Sequence, residues 1–75
     1  MLRVGALRLY FFSREEPRPH VHVEGPGGEA KFWLDPAVEL AENHGLRDRD
    51  LSTALAAIKE HEDGIREAWN KHFGG

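Results

Sequence analysis

The order of apolar and polar positions changes period once along the chain. From Arg3 to Phe12 the period is two, with Leu7, Leu9 and Phe11 on one face and Arg8, Tyr10 and Phe12 on the other. This predicts a first strand. A polar segment with two prolines, Ser13 to Pro19, breaks it. A second strand is predicted over His20 to Glu24 and a third over Glu29 to Leu34. The segment between them, "GPGG" (Gly25 to Gly28), is short enough for a hairpin, and glycine supplies any positive φ such a turn needs. Asp35-Pro36 ends the third strand, because proline cannot donate to a ladder. Residues 37–43 carry Val38 and Leu40 in alternation, consistent with a short fourth strand, but their composition also suits a helix.

From Asp48 to Phe73 the period is helical. Leu51, Leu55, Ile58, Ile65, Trp69 and Phe73 form one stripe at three-, four- and seven-residue steps. Asp48 is the expected N-cap, Asp50 suits the first-turn dipole, and Gly74 and Gly75 end the helix. At about 100° per residue Glu62 falls inside the apolar stripe, and Gly64 follows closely. Either the helix kinks or breaks at "HEDG", near Gly64, or its second half projects beyond the sheet and packs on something else, which would suit self-association as a homodimer. The expected fold class is α+β: an antiparallel sheet of three or four strands with the C-terminal helix packed on one face, as a single domain over residues 1–75.

The same alternation sorts the strand side chains. Val21 and Val23, Ala30, Phe32 and Leu34, and Leu7, Leu9 and Phe11 are expected to meet the helix. The opposite face inherits His20, His22 and Glu24, Glu29, Lys31 and Trp33, and Arg8 and Tyr10. No other segment is evidently available to cover it, so it is expected to be exposed. A large aromatic such as Trp33 on an open face marks an interface or binding surface.

Composition narrows the chemistry. The chain has 75 residues and no cysteine, which excludes disulfides, thiolate metal sites and cysteine nucleophiles. Its net charge of −3 gives no global attraction to nucleic acid or anionic membranes. No apolar run approaches the roughly 20 residues that span a bilayer, and the N-terminus lacks the pattern of a signal peptide, so a cytoplasmic protein is expected.

The histidine-bearing face admits three readings. His20 and His22, two apart on a strand, could ligate one ion with Glu24, but Lys31 and Arg8 beside them oppose a cation. His20 and His22 could instead act as an acid–base pair in metal-independent RNA cleavage, with Lys31 and Arg8 stabilising the phosphorane-like charge. Finally, Trp33, Tyr10 and Arg8 could form a binding surface for a protein partner or for single-stranded RNA. Glu24, Glu29 and the overall charge count against RNA. His44, His61 and His72 complete no site, and His61 and His72 are expected to be half-buried beside the helix stripe. Trp69 and Phe73 read as core, with a dimer interface as the alternative. No cofactor is implied.

The blocks "YFFSREEPRPHVHVEG", "EAKFWLDP", "ENHGL" and "REAWNKHFG" resemble the bacterial domain of unknown function 4160, over nearly the whole chain. The resemblance implies a prokaryotic, cytoplasmic, stand-alone domain. It also implies a gene placed beside another small uncharacterised domain, in an arrangement like a toxin–antitoxin pair. The family's signature positions fall on His20, His22, Lys31 and Trp33. The resemblance implies no activity.

Overall fold

In the computed structural model, described over residues 2–11, 18–35 and 37–73, the chain forms five strands followed by two helices. The strands are β1 (Leu2–Val4), β2 (Leu7–Tyr10), β3 (His20–Gly25), β4 (Gly28–Trp33) and β5 (Glu39–His44), and the helices are α1 (Asp48–Glu60) and α2 (Glu62–Phe73). The sheet is an antiparallel meander in the order β1-β2-β3-β4-β5. The expected loop over residues 13–17, Phe12, the stop at Pro36 and the end at Gly74 and Gly75 lie outside the described residues, as does the Phe73 side chain.

The α+β class holds, but five strands replace the expected three or four. The first predicted strand is two. Gly5 and Ala6 turn the chain, with Gly5 at φ 60° in the left-handed region that glycine enters at no steric cost. Val4 then pairs with Leu7 and Leu2 with Leu9. The turn shifts parity, so the core side is even in β1 (Leu2, Val4) and odd in β2 (Leu7, Leu9). The segment of uncertain type is a strand, β5, running from 39 to 44. Its ladder with β4 is irregular: Glu42 pairs with Lys31 and Leu40 with Phe32, which leaves Ala41 as an extra residue, a β-bulge.

The sheet buries its predicted side. Leu7, Leu9, Val21, Val23, Ala30, Phe32 and Leu34 pack with Leu46, Ala54, Ile58 and Ile65, and Trp69 is buried as well. Each fully buried apolar side chain of this kind contributes about 1.5–3 kcal/mol. Register decides this face. Val21 opposes Phe32 and Val23 opposes Ala30 inside, while His20 opposes Trp33 and His22 opposes Lys31 outside.

The helical segment breaks at His61, the first residue of the "HEDG" stretch where the position of Glu62 put a kink or break. His61 closes α1 by donating its N–H to the Ala57 carbonyl, 3.0 Å, and accepts from the Ile65 N–H, 2.9 Å. The break removes Glu62 from the apolar stripe and makes it the first residue of α2, where it takes the Arg66 Nε–H at 2.9 Å. Arg66 also donates to the Leu34 carbonyl and lies 3.6 Å from Asp35, so α2 is tied to the end of β4. His61 is exposed, and so is His72, contrary to the expected half-burial. The N-cap of α1 is Arg47, not Asp48, and it makes no side-chain cap. Asp48 and Asp50 instead occupy the first turn, where their charge suits the dipole.

The glycines of "GPGG" have a different use from the one expected. Positive φ occurs at Gly5 and Gly45. Gly28 is required for room: a Cβ there would lie 2.1 Å from the His44 carbonyl oxygen. Gly45 is its counterpart at φ 99°, where a Cβ would lie 2.6 Å from the Gly27 oxygen. The chain leaving β5 thus crosses the tip of the β3–β4 hairpin backbone to backbone, with Glu29 and Gly45 forming a parallel bridge. The Asn43 side chain holds the next turn, accepting the Leu46 N–H and donating to the Leu46 carbonyl, both at 3.0 Å.

This crossing predicts opposite outcomes for glycine substitutions. Gly28→Ala, from overpacking, and Gly45→Ala, from overpacking and a left-handed backbone, should each cost roughly 2–3 kcal/mol in urea unfolding. Gly64→Ala meets nothing within 4 Å on a helix and should stabilise by about 0.5–1 kcal/mol. Equal effects at Gly28 and Gly64 would contradict the crossing.

Candidate functional site

The second face of the sheet is built from cross-strand rows. Arg3, Arg8, Glu24 and Glu29 form one row across β1 to β4. Tyr10, His22, Lys31 and Glu42 form the next across β2 to β5. His20, Trp33 and Glu39 form the third. Directly opposed residues in adjacent strands have side chains in reach of each other. The alternation that hides Val21 and Val23 therefore assembles His20, His22, Lys31, Trp33, Tyr10 and Arg8 on one surface.

The contacts along these rows are specific. The Tyr10 and His22 rings stack at 5.6 Å between centroids. Arg8 lies 4.7 Å over the Tyr10 ring and pairs with Glu24 at 3.0 Å. Trp33 receives two cations, Arg18 at 4.1 Å and Lys31 at 4.5 Å from its ring centroid. Arg18 is held in turn by the Asp35 carbonyl, at 2.8 Å from its Nε, and by Glu39 at 3.6 Å. Lys31 Nζ lies 4.0 Å from Glu42, and Glu42 accepts from His44 at 3.0 Å. That hydrogen bond, followed by the charges of Lys31, His44 and His22, holds the Glu42 carboxyl below the usual glutamate range. Desolvation acts in the opposite direction and loses.

The face is not the uniformly exposed surface expected. His20 is 0% exposed and Lys31 7%. Tyr10, His22 and Trp33 are half-buried, and Arg8, Glu24, Glu39, Glu42 and His44 are exposed. The burial of His20 has a visible cause at the start of β3. Its ring meets Trp33 at 5.9 Å and His22 at 5.2 Å, both edge-on, and Trp69 of α2 at 5.1 Å. Trp69 also meets Phe11 edge-on at 5.4 Å, so one indole joins the interior to this corner of the outer face. His20 Nδ1 lies 2.7 Å from the Arg18 carbonyl. A carbonyl only accepts, so Nδ1 carries the proton.

The chain belongs to the DUF4160 family. The family model, described as a domain of unknown function, matches residues 6–70. No curated protein matches the chain. No solved structure matches it either. The matched span covers β2 through most of α2, and so contains every residue of the second and third rows.

Within this DUF4160 chain the candidate residues divide by access. His20, His22, Lys31 and Trp33 are brought together, with Tyr10 and Arg8 beside them. Glu24 is drawn to Arg8, and no group of three metal-ligating side chains forms among the described residues. Arg18, Glu39 and Glu42 also belong to the site, although the alternation of the three predicted strands does not reach them. Arg18 lies before the strand it serves, and Glu39 and Glu42 lie on β5, the segment whose sequence suited strand and helix alike. The clue to Arg18 was its place two residues before His20, next to the prolines.

This division by access predicts unequal costs. His20→Ala should cost roughly 2–4 kcal/mol in chemical denaturation, from a cavity between two indoles and an orphaned Arg18 carbonyl. His22→Ala should cost less than half as much, and equal costs would contradict the division. For Glu42, the lowered carboxyl pKa means its stabilisation is full above the ordinary glutamate value and is lost as pH falls through the lowered one. An NMR titration should therefore place the Glu42 midpoint below that of glutamate in the unfolded chain, and His44→Ala should raise it. A midpoint at or above the unfolded value would contradict the hydrogen bond's role.

Proposed function

We propose that the protein is a small binding module whose partner is another protein, the second member of a toxin–antitoxin-like or regulatory pair. It engages that partner through the half-exposed rings of Tyr10, His22 and Trp33, rimmed by Arg8 and Arg18. The observation that carries this reading is the pairing of the cations that touch the rings with carboxylates: Arg8 with Glu24, Arg18 with Glu39 and Lys31 with Glu42. The rings are thus framed by neutralised charge. Aromatic side chains and arginine in such a frame are the usual energetic centres of protein–protein contacts. A surface for RNA would need uncompensated positive charge to displace counterions.

The burial of His20 and Lys31 counts against an RNA-cleaving His20–His22 pair, because a general acid and base must each reach the substrate. His20 instead supports the face from behind, holding Trp33 and His22 in place, and Lys31 does the same beneath the Trp33 ring.

The test is calorimetric titration with the small protein encoded beside it, the neighbour that the family resemblance implies. Tyr10→Ala and Trp33→Ala, each confirmed as folded by circular dichroism, should weaken binding by at least about tenfold, the scale of an aromatic hot spot. His44→Ala should change it little. Equal binding by both aromatic variants would sink the proposal. So would RNA cleavage by the wild type in EDTA that disappears in His22→Ala.

A further inference from the structure

Strand β5 is the last in the sheet, and among the described residues its outer edge pairs with no other strand. Such an edge presents unpaired N–H and C=O groups and invites a further strand. Leu40, near its start, is 45% exposed and is the one large apolar side chain so exposed among the described residues. It registers with buried Phe32, so it sits on the helix side, beyond the cover of the helices.

The bulge selects what can pair there. With Ala41 as an extra residue, a regular strand laid along β5 falls out of step in the middle. A second copy, turned about a two-fold axis between Ala41 and Glu42, carries the same extra residue at the same place and stays in step. In that register Glu39 faces His44 of the second copy, Leu40 faces Asn43, and Ala41 faces Glu42. The faces agree as well. Glu39 and Glu42 register with Trp33 and Lys31 on the outer side, and His44 joins them through its 3.0 Å contact with Glu42. Leu40 and Asn43 register with Phe32 and Ala30 on the helix side. Each end sets a carboxylate, an acceptor, against an imidazole that can donate to it, and Leu40 gains cover from the second copy.

We propose that two copies of this chain pair antiparallel through β5, joining two five-stranded sheets edge to edge across a two-fold axis. The pairing rests on strand register and is independent of the partner reading given above for the Trp33 face. It forms an isologous contact, in which each residue i that meets j is repeated as j meeting i.

Sedimentation equilibrium on the full chain tests this. The wild type should dimerise. Glu39→Lys and His44→Glu, each of which puts like or mismatched charge across the axis, should each raise the dimer dissociation constant about tenfold or more. The double variant Glu39→Lys/His44→Glu should restore it. Both positions are exposed, so circular dichroism should show folded variants. In the unsubstituted protein, amides within residues 39–44 should exchange more slowly as concentration rises. A wild type that stays monomeric at millimolar concentration overturns the proposal. So does a dimer indifferent to both single substitutions, a double variant no tighter than the singles, or concentration-independent exchange of these amides.

Discussion

The register of β3 between its two neighbours is the constraint on which the rest of the structure depends. Val21 against Phe32 and Val23 against Ala30 and Leu9 build the floor of the core. The same pairing puts His22 between Tyr10 and Lys31, and His20 against Trp33. A slip of one residue would bring two imidazoles into the apolar interior and two valines to the outside. The core that stabilises the domain and the rows that make the candidate site are therefore one choice, made once. For a chain of this size, whose core is thin, that economy matters.

Crowding shapes the path of the chain beyond β4. Phe32 and Leu34 need cover, and the chain must return from the far edge of the sheet to supply it. It does so by passing over the hairpin tip at Gly27 and Gly28, close enough that only glycine fits at 28 and 45. Leu46 is buried directly afterwards, and α1 starts from there. The break at His61 then lets α2 swing to the opposite end, where Arg66 clasps the end of β4 and Trp69 reaches Phe11 and His20.

Much of this was legible in the residues. Period two in "HVHVEG" and "EAKFW" named the two central strands, their facing sides and most of the core, because each has a buried and an unburied side. The misplacement of Glu62 pointed to a break at "HEDG" or a projecting second half, and the break is what forms. Other features were hidden for physical reasons. Gly5 reads as a strand residue until its positive φ is known, so β1 and β2 looked like one strand. Residues 39–44 are polar because they form an edge, and an edge strand has little apolar signal to show. His20 and Lys31 looked exposed because alternation gives a side of the sheet but not the depth on it. Contact with Trp69, from a helix some fifty residues on, cannot be read from a strand's own pattern.

The central claim is that the two histidines of "PHVH" have different duties: His20 is a buried support, and His22 is a half-buried ring of the outer face, stacked on Tyr10 with its Nε2 covered. Carbethoxylation with diethyl pyrocarbonate, mapped by mass spectrometry on the native protein, tests it directly. The account predicts rapid labelling of His44, whose side chain is 65% exposed, much slower labelling of His22, whose Nε2 is covered, and protection of His20 until the chain is unfolded. Labelling of native His20 at the rate of His44 would contradict it.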